Sequence, residues 1–167
     1  MGIHYCAGDV TKTFGYICHQ VNCRGAMNSG VAKAIRNKWP VVYNAYQKVA
    51  SPSQLGSVQS IRVGIDEEDN DIWVINMFAQ DGYGYDGRRY TSYDAFWSCL
   101  GMIKEIVPKG SVINFPGRIG SDRGGANWNV IHEMISEVLA DDYEVFIYFL
   151  NTEPKKEIKN EEEKLGF

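Results

Sequence analysis

The fold is decided by one stretch of the chain, residues 17–40, which reads ICHQVNCRGAMNSGVAKAIRNKWP. It begins as an apolar run, passes through small and polar residues, and then becomes apolar at every fourth position. This pattern predicts a strand, a glycine-containing loop and a helix that is capped by Asn28 or Ser29 and ends before Pro40. Such a turn directs backbone N–H groups and the positive end of a helix dipole at one point, which favours a bound phosphate.

The same turn also has a purely structural interpretation, because α/β proteins often join a strand to a helix through a turn that contains glycine. Its glycine spacing matches neither the Walker phosphate-binding pattern nor the G-x-G-x-x-G dinucleotide pattern. The sequence therefore disfavours a conventional nucleotide triphosphatase or dehydrogenase.

Length and charge narrow the function further. The chain has 167 residues, of which 44% are hydrophobic, enough for one globular domain with a sizeable core. Acidic residues outnumber basic ones by 21 to 17, which argues against tight binding to duplex nucleic acid. No apolar run reaches membrane-spanning length and no signal peptide is evident, so we expect a cytoplasmic protein without membrane contact. The four scattered cysteines are expected to be reduced thiols, and neither a metal nor a cofactor is expected.

Hydrophobic periodicity predicts an α/β fold in which strands and helices alternate. Strands are predicted at residues 2–6, in the apolar run that begins at residue 16, and at residues 58–64, 71–79, 111–116 and 143–150. Helices are predicted at residues 31–39, 41–49 and 91–107, and a last helix is predicted to begin after its cap, Asn127. The apolar sides of the second and last helices are predicted to include Val49 and Val130. An acidic turn at residues 66–70 predicts an antiparallel hairpin, and therefore a mixed sheet covered on both faces. We expect one folded domain over residues 1–151 and a charged, flexible tail over residues 152–167.

A second glycine-rich loop follows the fifth predicted strand and reads GRIGSDRGG at residues 117–125. Because loops after parallel strands share the carboxyl edge of a sheet, the two glycine-rich loops are expected to form opposite walls of one cleft. Two sets of backbone amides suit a diphosphate better than a single phosphate. Residues 80–89, QDGYGYDGRR, are interpreted either as a mobile loop that offers aromatic faces or as an ordinary surface loop.

Three segments of the chain together resemble the macro domain family. They are HQVNCRGAMNSGVAKAIRNKWP at residues 19–40, VINMFAQDGYGYDGRRYTSYDAF at residues 74–96 and FPGRIGSDRGGANW at residues 115–128. The resemblance spans residues 3–150 and is closest to the small stand-alone bacterial and phage members, and it extends to the ADP-ribose 1''-phosphate phosphatases and the TARG-like hydrolases. It implies a three-layer α/β/α fold with a mixed central sheet and a cleft for ADP-ribose.

The resemblance also implies which residues bind the ligand. Asp9 would accept a hydrogen bond from the adenine amino group, although it could merely cap the turn that follows, and Asn22 would meet the distal ribose. The amides of residues 29–31 would hold one side of the diphosphate and those of residues 119–121 the other. The full set of expected binding residues is Asp9, Val10, Gln20, Asn22, Ser29, Gly30, Val31, Ile119, Gly120, Ser121, Asp122, Arg123 and Asn151.

Two residues depart from the family's pattern. Asn28 stands where close relatives have the first glycine of an M-G-x-G-V-A loop, and Asp122 stands where a G-C-G type loop has its second glycine. A carboxylate beside a diphosphate would repel it by on the order of 1 to 4 kcal/mol at contact distance. We therefore expect Asp122 to point away, or Arg123 to neutralise it, or the ligand to differ from plain ADP-ribose.

The resemblance implies three candidate activities, and the expected catalytic residues are His19, Asn22 and Asp122. The leading hypothesis is a phosphatase acting on ADP-ribose 1''-phosphate, in which His19 would relay a proton or orient water near physiological pH. The alternative for this side chain is a hydrogen-bonded core histidine beside Asn22. A hydrolase that removes ADP-ribose from protein or nucleic acid is the second hypothesis, but residues 75–78 offer no lysine for a covalent mechanism. The third is a reader that binds ADP-ribose or an ADP-ribosylated macromolecule without catalysis.

Overall fold

A computed structural model describes residues 1–150, so Asn151 and the expected tail lie outside the described residues. Residues 1–150 form six strands, β1 (Gly2–Ala7), β2 (Gly15–Val21), β3 (Val58–Ile65), β4 (Asp71–Phe78), β5 (Val112–Pro116) and β6 (Glu144–Phe149). They also form four α-helices, α1 (Gly30–Lys38), α2 (Pro40–Val49), α3 (Tyr93–Ile106) and α4 (Trp128–Leu139). Strands and helices alternate in the order that the periodicity predicts.

The six strands form one mixed sheet in the order β1-β6-β5-β2-β4-β3. All neighbours run parallel except β3 and β4, which pair antiparallel as the predicted hairpin. Its turn is closed by Asp66, whose Oδ1 accepts hydrogen bonds from the backbone N–H groups of Glu68 and Asn70 at 2.9 and 2.8 Å. The predicted α/β class with a mixed sheet is therefore confirmed.

Each face of the sheet is covered by a pair of helices with its own apolar cluster. Helices α3 and α4 bury Phe96, Leu100, Ile103, Ile131 and Ile135 on one face, and helices α1 and α2 bury Ile35, Val42 and Tyr46 on the other. The prediction that Val49 and Val130 are buried is wrong, since they are 37% and 41% exposed. Val49 is the last residue of α2, and Val130 precedes the buried Ile131, so the helix turns it away from the apolar stripe.

Two helices begin where a polar side chain caps them. Asn127 caps α4 as predicted, with its Oδ1 accepting a hydrogen bond from the Asn129 N–H at 2.9 Å. Helix α3 begins at Tyr93, later than predicted, because the Ser92 hydroxyl accepts a hydrogen bond from the Ala95 N–H at 3.1 Å. Within residues 1–150 we find no helix with the length and hydropathy needed to cross a bilayer.

Candidate functional site

A cavity of about 320 Å³ lies at the carboxyl edge of the sheet, beyond the ends of β2, β4 and β5. Its lining comes from four segments, residues 19–22, 26–32, 80–85 and 116–124. The two glycine-rich loops thus lie on one cleft, together with the tyrosine-rich loop between β4 and α3. This is the edge at which open α/β sheets bind ligands.

The first wall of the cleft is the amino-terminal end of α1. Gly30 begins this helix with a φ of 58°, and the first backbone hydrogen bond of the helix runs from the Lys33 N–H to the Ser29 carbonyl at 3.2 Å. The N–H groups of Gly30, Val31 and Ala32 therefore precede the first helical hydrogen bond and have no acceptor inside the helix. All three residues line the cleft, where these amides and the helix dipole favour an anion.

The predicted side-chain cap of α1 is wrong. Ser29 occupies the capping position, but within the described residues its hydroxyl makes no capping hydrogen bond. The Asn28 Oδ1 instead accepts a hydrogen bond from Nη1 of Arg36, a residue in the last turn of the helix, at 3.1 Å. Because neither side chain covers the end of the helix, its backbone amides face the cleft directly.

The second wall is the loop between β5 and α4, and its amides are arranged differently from the expectation. The Ile119 N–H donates to the Pro116 carbonyl at 3.2 Å, and the Ser121 N–H donates to the Arg118 carbonyl at 2.8 Å. These two amides therefore stabilise turns inside the loop, and Ser121 does not belong to the lining of the cavity in the described chain. Gly120, with a φ of 74°, lies between them and does line the cleft.

Glycine is required in this loop because polar side chains pack against it. A Cβ on Gly120 would lie 2.9 Å from Gln20 Oε1, and a Cβ on Gly124 would lie 2.3 Å from Thr91 Oγ1. Gln20 Nε2 donates to Thr91 Oγ1 and to Gln80 Oε1, both at 2.7 Å, and the Thr91 hydroxyl donates to the Gly120 carbonyl at 2.8 Å. Gln20 was expected to bind the ligand, and the structure places it in the network that holds the second wall.

Asn22, which was expected to contact the distal ribose, lines the cleft, but its side chain forms most of its hydrogen bonds within its own loop. Its Oδ1 accepts from the Arg24 and Ala26 N–H groups at 2.9 and 3.3 Å, and its Nδ2 donates to the Ala26 carbonyl at 2.8 Å. The Tyr46 hydroxyl lies 2.8 Å from the same Oδ1, and burial raises the pKa of this phenol so that it stays a proton donor. The spacing of α2 identified Tyr46 as core but gave no signal for this contact.

His19 lies inside β2, two residues before its end, and lines the cleft while being 1% exposed. Its Nε2 is 2.5 Å from Asn76 Oδ1 on β4. Burial lowers the pKa of His19 to about 4, and the hydrogen bond to Asn76 Oδ1 acts in the opposite direction. The ring is therefore neutral at physiological pH, which differs from the expectation that it titrates there.

Asp122 is neutralised, but by a different arginine from the one expected. Its Oδ1 lies 3.3 Å from Arg118 Nε, one helical turn earlier in the loop, and its side chain is 71% exposed. Arg123 instead contacts Tyr85: its Nη1 donates to the tyrosine hydroxyl at 2.8 Å, and its guanidinium lies 4.3 Å from the ring centroid. All four residues border the cleft, so its mouth carries one more positive than negative charge.

The tyrosine-rich loop is connected to the second wall by its backbone. The Tyr90 and Thr91 N–H groups both donate to the Gly124 carbonyl, at 2.8 and 3.0 Å. Inside the loop, Asp86 accepts hydrogen bonds from the Tyr90 hydroxyl and from Arg88 Nε, each at 2.8 Å. These contacts, together with the Tyr85 pair, join the two loops into one side of the cleft.

Asp9 caps the turn that follows it, and its expected role at adenine stays a prediction. Its Oδ1 accepts hydrogen bonds from the Thr11 N–H at 2.9 Å and the Thr11 hydroxyl at 2.7 Å, at the start of a short 3-10 turn. Neither Asp9 nor the buried Val10 is among the described residues that line the cavity. Asn151, which is also among the expected binding residues, lies outside the described residues. The cleft that we describe is therefore the part expected to hold the diphosphate and the distal sugar.

No metal site is built from the described residues, since no three His, Cys, Asp or Glu side chains within residues 1–150 come together. The four cysteines are free thiols, of which Cys18, Cys23 and Cys99 are buried. Burial raises the pKa of each of these thiols, which keeps them protonated and poorly reactive.

Solved structures share this fold over nearly the whole described chain. A protein of unknown function from Bacteroides thetaiotaomicron is 29% identical, with a TM-score of 0.73, over 90% of this chain and 99% of its own. A macrodomain protein from Streptomyces coelicolor is 27% identical, with a TM-score of 0.65, over 87% of this chain and 97% of its own.

A more distant match is DarTG from Thermosipho africanus, solved in complex with ADP-ribose. It is 18% identical, with a TM-score of 0.73, over 91% of this chain and 42% of its own, and at this identity it supports the fold alone. No protein-family model and no curated protein sequence matches the chain. From the mixed six-stranded sheet, the three motifs and the likeness to the Streptomyces protein, we conclude that the chain has the macro domain fold.

Proposed function

We propose that this macrodomain binds ADP-ribose, or a closely related nucleoside diphosphate sugar, in the cleft between residues 26–32 and 116–124. The observation that carries the proposal is the uncapped start of α1, where the amides of Gly30, Val31 and Ala32 face the cleft. Three adjacent amides at a helix start form an anion site without a basic side chain. Gly120 lines the opposite wall of the cleft, where its φ of 74° and the close approach of Gln20 Oε1 require glycine.

Size and charge of the cleft agree with such a ligand. A volume of about 320 Å³ is in the range of small-molecule sites, and the charged residues that line it within residues 1–150 are Arg118, Arg123 and Asp122. The Thermosipho structure, solved in complex with ADP-ribose, shows that this fold can hold such a ligand.

The proposal is tested by calorimetric titration of the full chain with ADP-ribose, with AMP as the comparison ligand. We expect tighter binding of ADP-ribose, because AMP has a single phosphate and lacks the distal sugar. Gly120→Ala should weaken binding, since its φ of 74° is strained for alanine and the added Cβ would displace Gln20 Oε1 in the wall. Gly110→Ala is the matched control: its φ of 87° imposes a similar backbone strain, and it lies at the opposite edge of the sheet. Equal affinity for the two ligands, or equal effects of the two variants, would contradict the proposal.

As a second candidate we propose hydrolysis of ADP-ribose 1''-phosphate to ADP-ribose and phosphate, because His19 lines the cleft. With its pKa lowered to about 4, the neutral ring would act by accepting a hydrogen bond and orienting water rather than by protonating the leaving oxygen. Loss of phosphate release in His19→Ala with retained ADP-ribose binding would support this activity. Turnover by that variant at the parental rate would rule out the role of His19, and binding without any turnover would leave a reader of ADP-ribose or of an ADP-ribosylated macromolecule.

A further inference from the structure

Three polar side chains form a row across the sheet beneath helices α1 and α2. His19 on β2 pairs in register with Asn76 on β4, and Asn76 pairs in register with Gln59 on β3. His19 and Asn76 are 1% and 0% exposed. They lie on the same face of their strands as the apolar residues two positions before and after them, which belong to the cluster under these helices. A polar row in such a place is costly unless each group is hydrogen-bonded.

The orientation of the Gln59 amide, at the end of the row farthest from His19, fixes the direction of every hydrogen bond in the row. Gln59 Nε2 donates to the Ala45 carbonyl at 3.0 Å, so the Gln59 Oε1 is the atom that faces Asn76. That oxygen accepts from Asn76 Nδ2 at 3.1 Å, which leaves the Asn76 Oδ1 facing His19 Nε2. Because an amide oxygen can only accept, the hydrogen of the neutral His19 ring resides on Nε2.

The other ring nitrogen of His19 then carries a lone pair. Nδ1 is buried and makes no hydrogen bond with any described residue. An acceptor left unpaired in the interior is unfavourable, and His19 borders the cleft. The row therefore ends in an unpaired acceptor on a residue that borders the cleft.

We propose that Gln59 and Asn76 are positioning residues that hold His19 as the Nε2–H tautomer, so that Nδ1 accepts a hydrogen bond from a hydroxyl group of the ligand. The proposal rests on the proposed function. Phosphate oxygens offer no hydrogen at neutral pH and would meet another acceptor, whereas the hydroxyl groups of a sugar can donate. The sugar end of the ligand, rather than its diphosphate, is thereby directed to His19.

Nitrogen NMR of the imidazole rings tests the proposal in the full chain at pH 7. The chain has three histidines, and the His19 signals are assigned by their loss in His19→Gln. In the free protein we expect the coupling pattern of the Nε2–H tautomer. On saturation with ADP-ribose the Nδ1 resonance should move in the direction of a hydrogen-bonded acceptor. An Nδ1–H tautomer or a protonated ring would overturn the positioning role, and saturation without a change at Nδ1 would overturn the hydroxyl contact.

Two variants separate positioning from general stability. Gln59→Met and Asn76→Leu should admit the Nδ1–H tautomer and weaken ADP-ribose binding by about tenfold, the usual effect of one lost hydrogen bond. Asn114→Leu removes an equally buried amide on β5, outside the row, and should leave the His19 signals unchanged. If Asn76→Leu does not fold, Gln59→Met, at the less buried end of the row, carries the test. Failure of the parent chain to bind ADP-ribose would overturn the proposed function and the hydroxyl contact, while the spectrum of the free protein would still decide the tautomer.

Discussion

Asp122→Asn is the substitution whose effect on binding follows most directly from the structure. It removes the carboxylate at the cleft mouth, which lies 3.3 Å from Arg118 Nε, without changing the size of the side chain. The loss of this negative charge favours an anionic ligand. We therefore expect this variant to bind ADP-ribose more tightly than the parent chain.

The magnitude follows from the exposure of the side chain. Two unit charges 4 Å apart interact by about 1 kcal/mol in water and about 4 kcal/mol at an effective dielectric of 20. Because the Asp122 side chain is 71% exposed and already paired, the lower value applies. A gain of about 1 kcal/mol corresponds to about fivefold tighter binding.

The assay is calorimetric titration with ADP-ribose at low salt and at about 1 M salt, where a Debye length of about 3 Å should remove most of the gain. Glu105→Gln is the control, since it makes the same charge change on the exposed side of α3, toward the end of the helix that leads away from the cleft. Weaker binding by Asp122→Asn, or an equal gain in the control, would refute the reasoning.

The free energy of unfolding should fall by about 3 kcal/mol between pH 6.5 and 4, because burial lowers the pKa of folded His19 from 6.5 to about 4 and the unfolded chain takes up a proton in that window. In urea titrations across the same pH window, the His19→Gln variant should lack this part of the fall in the free energy of unfolding. Tyr46→Phe should lower the free energy of unfolding by about 1–3 kcal/mol, since Asn22 Oδ1 loses its buried donor; an unchanged urea midpoint would contradict the contact. Gly124→Ala should cost about 1–3 kcal/mol because its Cβ would lie 2.3 Å from Thr91 Oγ1, and parental stability in the same assay would contradict this.

The architecture could be predicted because it depends on local patterns. Phe96, Leu100 and Ile103 repeat at helical spacing and are all buried, and the acidic turn after residue 65 closes the expected hairpin. The two glycine-rich loops follow strands of one parallel set, so the order of the strands alone brings them to one cleft. The family resemblance added the ligand class, which no local pattern contains.

The contacts inside the site could not be predicted, because they depend on loop conformation and strand register. Asp122 is adjacent in sequence to Arg123, but the turn directs it to Arg118. The contact between His19 and Asn76 spans 57 positions and exists only in the register of β2 with β4. The sequence left open whether Asp9 caps the next turn, and the cap became visible only in its distance to Thr11.

The contact between Tyr85 and Arg123 is a side-chain connection between two loops. It joins the tyrosine-rich loop to the second wall, on one side of the cleft, through one hydrogen bond of 2.8 Å and one stacked pair. The same two loops are also joined by the backbone hydrogen bonds from the Tyr90 and Thr91 N–H groups to the Gly124 carbonyl. A substitution of Tyr85 would therefore remove the side-chain contact and leave the backbone connection between the loops in place.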